Sequence, residues 1–170
     1  MRALAVCIIV VSQSFFAAVA AAQQADPPDP TATATCDFDD GKEITAKYDS
    51  SVMSNKDQPR NGKLWMPGGS PITFFTQVPV ILNHVEIPVG AYSVYVIPDR
   101  KEWTLIVSKN VTSPKTYDDK QDLVRAPMEL GGVNSPPKQL HLSFAHVGPK
   151  QCSIRLYYET TGAFVDFIEK

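Results

Sequence analysis

Residues 87–107 read IPVGAYSVYVIPDRKEWTLIV. This stretch decides the fold. Residues 91–97 and 102–108 are rich in Tyr, Val, Ile, Leu and Trp, the side chains that suit a pleated, half-buried surface. Pro98-Asp99-Arg100-Lys101 between them has the composition of a turn. With those four residues as the loop, Ile97 pairs with Glu102. Val96 then faces Trp103, Val94 faces Leu105 and Tyr92 faces Val107, all on one side of a sheet. The stretch is therefore expected to be a β-hairpin with one buried face.

The rest of the chain repeats this grammar. Short apolar or alternating runs at 43–48, 72–76, 78–82 and 85–87 are separated by Gly, Pro and Asn punctuation. Pro79 suggests an edge position for its strand, and Asn83-His84 reads as a tight turn. Beyond the hairpin, Val124, Ala126, Met128 and Leu130 alternate in one run. Leu140, Leu142 and Phe144 alternate in a second, Ile154, Leu156 and Tyr158 in a third, and residues 163–168 close the chain. No segment supports a helix of useful length. Fourteen prolines and many short strands point to an all-β fold, a single antiparallel β-sandwich or flattened barrel of roughly 8–10 strands.

The 170 residues are 44% hydrophobic with a net charge of −2, ordinary globular composition with room for one domain. Lys and Arg are scattered, so no basic footprint for nucleic acid is present. Residues 1–22 differ in character from the rest of the chain. Arg2 precedes an apolar run at 4–11, extended through Phe15 and Phe16, and Ala20-Ala21-Ala22 is a small-residue cleavage site. This is the pattern of a secretory signal peptide; the competing reading is an uncleaved N-terminal helix. No other run approaches the roughly 18 apolar residues of a membrane helix. The expectation is an exported protein, periplasmic or extracellular, with no membrane anchor after cleavage.

Cleavage removes one Arg and no acid, leaving 15 basic against 18 acidic residues, a net charge of −3. It also removes Cys7. Cys36 and Cys152 remain, and neither occupies a lipid-attachment position. Two readings stand, a disulfide suited to an oxidising compartment or two free thiols. Residues 23–35 (QQADPPDPTATAT) are rich in Pro, Ala and Thr and read as a flexible tether, with the β domain spanning 36–170. Residues 50–63 read as a long polar loop, of the kind that is often functional or disordered.

The runs GAYSVYVIP, EWTLIVSKN, TYDDKQDLVR, LHLSF and SIRLYYE resemble the exported bacterial family known as domain-of-unknown-function family 2911. Its pattern is a V-P-A-G-x-Y-S-L-F-x-I-P strand, then E-W-T-V-I, a Tyr-containing loop leading into D-V-L-R-V, and a T-F-S-F strand. The resemblance spans roughly residues 43–168. It implies a signal-bearing all-β domain and no particular activity. The chain departs from the pattern where relatives carry V-W-R-T-G-A-N-E. Trp65 is kept, Met66 stands at the Arg position, and the Asn-Glu pair is missing. A Trp-Gly before Tyr117 is missing too.

Candidate chemistry is sparse. His84, His141 and His146 lack the local spacing of zinc ligands, and no Gly-x-Ser-x-Gly elbow exists. Asp39-Asp40 and Asp118-Asp119 read as solvated loop charge, without EF-hand spacing. Asn110-Val111-Thr112 fits a glycosylation acceptor, relevant only in a eukaryotic secretory route. No catalytic residue, metal site or cofactor is therefore assigned.

Trp65, Tyr48 and Tyr117 fall on or beside loops, where they suit an aromatic platform for a glycan or an extended peptide. The competing reading has Trp65 plugging one end of the sandwich, the more common fate of a large aromatic. Two functions are compatible with these residues. The first is a non-catalytic binding or structural module acting through its loops. The second is a hydrolase or metal-dependent enzyme with an unrecognised site.

Overall fold

A computed structural model describes residues 31–50 and 58–170. The expected signal peptide, the first part of the expected tether and the middle of the 50–63 loop lie outside the described residues. The strands are β1 (Thr31–Asp37), β2 (Glu43–Asp49), β3 (Ile72–Thr76), β4 (Val80–Leu82), β5 (Val85–Ile87) and β6 (Gly90–Ile97). They continue with β7 (Trp103–Ser108), β8 (Asp122–Gly132), β9 (His141–Gly148), β10 (Gln151–Tyr158) and β11 (Thr161–Glu169). The sheet order is β1-β2-β3-β6-β7-β8-β11-β10-β9, with β4 pairing to β11 and to β5. Every pairing is antiparallel. The sheet curls until β1 lies alongside β9 without joining its ladder. The result is the expected all-β fold, a nearly closed, flattened barrel.

The interior follows from the alternation. Ile44 and Ala46 on β2, Ile72 and Phe74 on β3, and Val94 and Val96 on β6 point inward. So do Leu105 and Val107 on β7, Val124, Ala126 and Met128 on β8, and Ile154 and Leu156 on β10. Phe74 stacks on Phe167 from β11 at 4.9 Å, bringing two distant strands of the sheet order into face-to-face contact. The turn at Asn83-His84 has positive φ at both residues (46° and 65°) and joins Leu82 to its partner Val85. This is the two-residue turn whose twist matches a hairpin.

The central hairpin forms with a different register. Ile97 pairs with Thr104, Val96 with Leu105 and Val94 with Val107, so the pairing is shifted by two residues and the loop is longer. Tyr92, Val94, Val96, Trp103, Leu105 and Val107 are nonetheless all in the core. Alternation fixes which face a residue occupies, and a two-residue slip preserves that face. The longer loop matches the surroundings of the β6 end. Val96 exchanges both backbone hydrogen bonds with Trp65 (2.7 and 3.0 Å), and the Pro98 carbonyl accepts from the Gly62 N–H at 2.7 Å. Trp103 takes its partner from the other side, Met128 on β8.

The tether is also corrected. Residues 31–35 belong to β1, which pairs with β2 from Thr31↔Asp49 to Asp37↔Glu43. Thr31, Thr33 and Thr35 face out, and Ala32, Ala34 and Cys36 face in. The segment is a period-2 strand whose inward residues are small. With the divided β4 and β5, it brings the count to eleven, above the 8–10 expected.

Cys36 on β1 and Cys152 on β10 form a disulfide, with Cα atoms 6.3 Å apart. It staples the barrel's seam. The Asp39 N–H donates to the Pro149 carbonyl at 3.2 Å, and His146 Nε2 lies 3.4 Å from Asp39 Oδ1. Both reinforce the same seam.

Candidate functional site

The three aromatics expected to form one platform are dispersed. Trp65 is only 4% exposed and Tyr48 only 6%. The Trp65 ring packs edge-on against Trp103 at 5.6 Å and against Tyr158 at 5.4 Å, inside the barrel. Its backbone is held to β6, so the indole points inward with the rest of that row. Tyr48 belongs to the same core, at the inward parity of β2. Tyr117 lies on the outer surface and packs against Tyr95. A recognition platform built from these three rings is therefore replaced by two core residues and one loop anchor. The physical reason is that Trp65 and Tyr48 belong to paired backbone segments, and pairing directs their rings inward.

The residues that carry the family-like motif do converge. Residues 109–121 cross the outer face of β6, β7 and β8 and bury Tyr95 and Ile106, both 0% exposed. The Tyr95 hydroxyl donates to the Pro114 carbonyl at 2.6 Å, and Ser93 Oγ donates to the Asn110 carbonyl at 2.8 Å. The buried Asn110 amide donates to the Ser113 and Thr116 carbonyls at 3.0 and 2.9 Å, holding the loop's curve. At its far end the Tyr117 hydroxyl donates to Asp122 Oδ2 at 2.7 Å and accepts from Arg125 Nη2 at 2.7 Å. Arg125 also donates to Asp122 Oδ2 through Nε at 2.9 Å and Nη2 at 2.7 Å. Oδ1 of Asp122 is buried without a hydrogen-bond partner among the described residues.

Within this network the Asp122 and Arg125 charges are paired through Oδ2. Burial first, and then the Asp122 carboxylate that accepts its proton, push the Tyr117 phenol up to about 12. Its bond to Asp122 raises the Arg125 guanidinium above its ordinary value. A phenol that donates to a carboxylate and holds its proton this tightly is neither a nucleophile nor a base near neutral pH. Tyr117, Asp122 and Arg125 anchor the end of the 109–121 loop to β8.

The histidines are dispersed. His84 is exposed at its turn, His146 sits at the seam, and His141 stacks on Tyr157. Among the described residues no group of three His, Cys, Asp or Glu side chains could hold a metal ion.

A second place was not singled out from the sequence. On the outer face of β8, β11, β10 and β9, the register aligns Gly131, Gly162, Tyr157 and His141 in one cross-strand row. Glu129, Phe164, Arg155 and Ser143 form the next. Between these rows lies a cleft of about 300 Å³, lined in part by Gly131, Gly132, Arg155, Tyr157 and Phe164. A Cβ at Gly131 or Gly132 would meet nothing within 4 Å, whereas one at Gly162 would lie 3.3 Å from the Tyr157 ring. Tyr157 thus lies over a glycine floor. His141 stacks behind it at 5.8 Å with the planes 26° apart. The signal was present in the strand alternation: Arg155, Tyr157 and Phe164 stand at the outward parity, where a fully solvated face has no need of aromatics.

The family model described as "Protein of unknown function (DUF2911)" matches residues 29–167. No curated protein and no solved structure matches the chain.

Proposed function

The chain belongs to the DUF2911 family, and we propose that it is an exported, non-catalytic binding module that recognises its ligand through the outer-face cleft of β8, β11, β10 and β9. The observation that carries this reading is the cleft itself: a glycine floor, flat rings from Tyr157 and Phe164, and one guanidinium from Arg155. Concave sites with apolar faces and a few placed polar groups are the usual form of small-ligand sites. Recognition thereby moves from the loops to a sheet face, because the loop aromatics are committed to the core or to loop anchorage. The non-catalytic part is supported by the engagement of the Tyr117 hydroxyl between Asp122 and Arg125. Export to the periplasm or the extracellular space is supported by the N-terminal pattern of residues 1–22 and by the disulfide, which persists in oxidising compartments. Among the described residues no helix is long and apolar enough to cross a membrane.

The test uses the protein purified from the export fraction, with its N-terminus sequenced. It is screened on a glycan array and against generic ester, glycoside and peptide substrates. Saturable binding that is lost in Tyr157→Ala, without turnover, is the expected result. Turnover that scales with protein and survives further purification overturns it, as does binding indifferent to Tyr157.

A further inference from the structure

We infer that the ligand of the β8–β11–β10–β9 cleft is an acidic saccharide, its sugar ring lying on Tyr157 and its carboxylate paired with Arg155. This rests on the binding-module reading above. Among the described residues the Arg155 side chain makes no hydrogen bond or ion pair, although it stands half-buried on the face that carries Tyr157 and Phe164. Tyr157 lies two positions along the same face of β10, and Phe164 is its direct partner on β11. A cation held beside flat rings, whose neighbours Glu129 and Asp166 form no ion pair with it, complements a ligand that brings both an anion and a flat apolar face. Arg suits that anion because its planar fork binds a carboxylate through two parallel hydrogen bonds.

The alternatives fit less well. A neutral sugar would use the ring and leave the guanidinium unmatched. An extended peptide binds a sheet through a free edge; here β10 is paired to β9 and β11, and β11 to β8 at Thr161–Phe164, so the Arg155 and Tyr157 rows lie on a sheet face rather than along a free edge. Nucleic acid needs several cations, and the same row carries Glu129 on β8, across Phe164 from Arg155. Glu129 also disfavours a second carboxylate at that end of the row. The open space above Gly131 and Gly132 leaves room for the ring's edge.

The experiment titrates the full exported protein with three probes, oligogalacturonate, oligoglucuronate and an alginate oligomer, each beside its methyl ester, by calorimetry at low and high salt. At least one acid should bind ten-fold or more tighter than its ester, with the gap shrinking in salt. Arg155→Gln should remove the gap and Arg155→Lys restore part of it. Tyr157→Ala should abolish binding of acid and ester alike, with Tyr157→Leu as a second variant and a thermal melt of each to establish folding. Acid and ester binding equally, both lost in Tyr157→Ala, overturns the acidic class and leaves the cleft reading standing. Binding of any probe that survives both Tyr157 variants overturns both readings. Absence of binding by all three acids overturns the acidic class, and the glycan array then decides the cleft separately.

Discussion

Replacing Trp65 with Ala tests the assignment of this residue to the core. Trp65 is 4% exposed, and a buried aromatic of this kind removes about 200 Å² from water. At about 25 cal/mol per Å², that burial contributes roughly 5 kcal/mol. Alanine retains a small part of it, and the two edge-on contacts with Trp103 and Tyr158 add about 0.5–1.5 kcal/mol each. Partial collapse of the surrounding side chains recovers some of the loss, so the expected cost is about 3–5 kcal/mol, the range for large aromatic truncations. The chain has two tryptophans, so the variant leaves Trp103 as the sole indole reporter, itself in contact with the altered site. Equilibrium guanidinium unfolding, followed by Trp103 fluorescence and by circular dichroism, should show a lower midpoint with an unchanged slope. Trp65→Phe should cost distinctly less, because a ring remains against Tyr158. A loss below about 1 kcal/mol would refute the core assignment, since only an exposed or loosely packed residue is deleted so cheaply.

Replacing both Cys36 and Cys152 with Ser should lower stability by about 5 kcal/mol in the chain-entropy account, because the bond closes a loop with a sequence separation of 116; equal denaturant midpoints for the oxidised protein and the double variant would refute it. Tyr117→Phe should cost about 1–3 kcal/mol, since it removes a hydrogen bond to a buried carboxylate, and amide exchange in residues 109–121 should quicken; unaltered exchange there would refute the anchoring role. Tyr117 is raised to about 12 in the folded chain against an ordinary value near 10, so its contribution is fully present below pH 10 and is lost as the pH rises through 12. Burial raises Tyr92, Tyr95 and Tyr158 in the same direction, so Tyr117→Phe should reduce the alkaline fall in melting temperature without abolishing it. An identical fall in the variant would refute the assignment.

The sequence and the structure agree where period-2 alternation is strong, and part where alternation is silent. The inward faces of β6, β7, β8, β9 and β10 were legible because parity is written in Val, Leu, Ile and Met. The hairpin register was not, because parity is indifferent to a slip of two residues, and the longer loop accompanies contacts from the segment around Trp65. β1 was missed because its inward residues are Ala and Cys; its burial is supplied by the far side of the barrel, which no local window contains. The run that holds Tyr117, Asp122 and Arg125 was legible as a family motif, within nine residues, but the hydrogen bonding that gathers these three required coordinates. The Tyr157 cleft was illegible for a topological reason. Its floor joins Gly131 to Gly162 through the β8–β11 pairing, a contact between strands that are not consecutive in the chain.

The seam disulfide changes how the domain carries a mechanical load. Cys36 lies on β1 and Cys152 on β10, so a pull between the two ends of the chain crosses directly from one cysteine to the other. Strands β2 to β9 are left off the line of tension. The 116 residues of separation, at roughly 3.3–3.6 Å each, represent about 400 Å of contour length that stretching cannot release while the bond is intact. Among the described residues, only β1 up to Cys36, the rest of β10 and β11 can extend. In a reducing solution the hidden length returns to the line of force, and the same barrel unravels as an ordinary open chain.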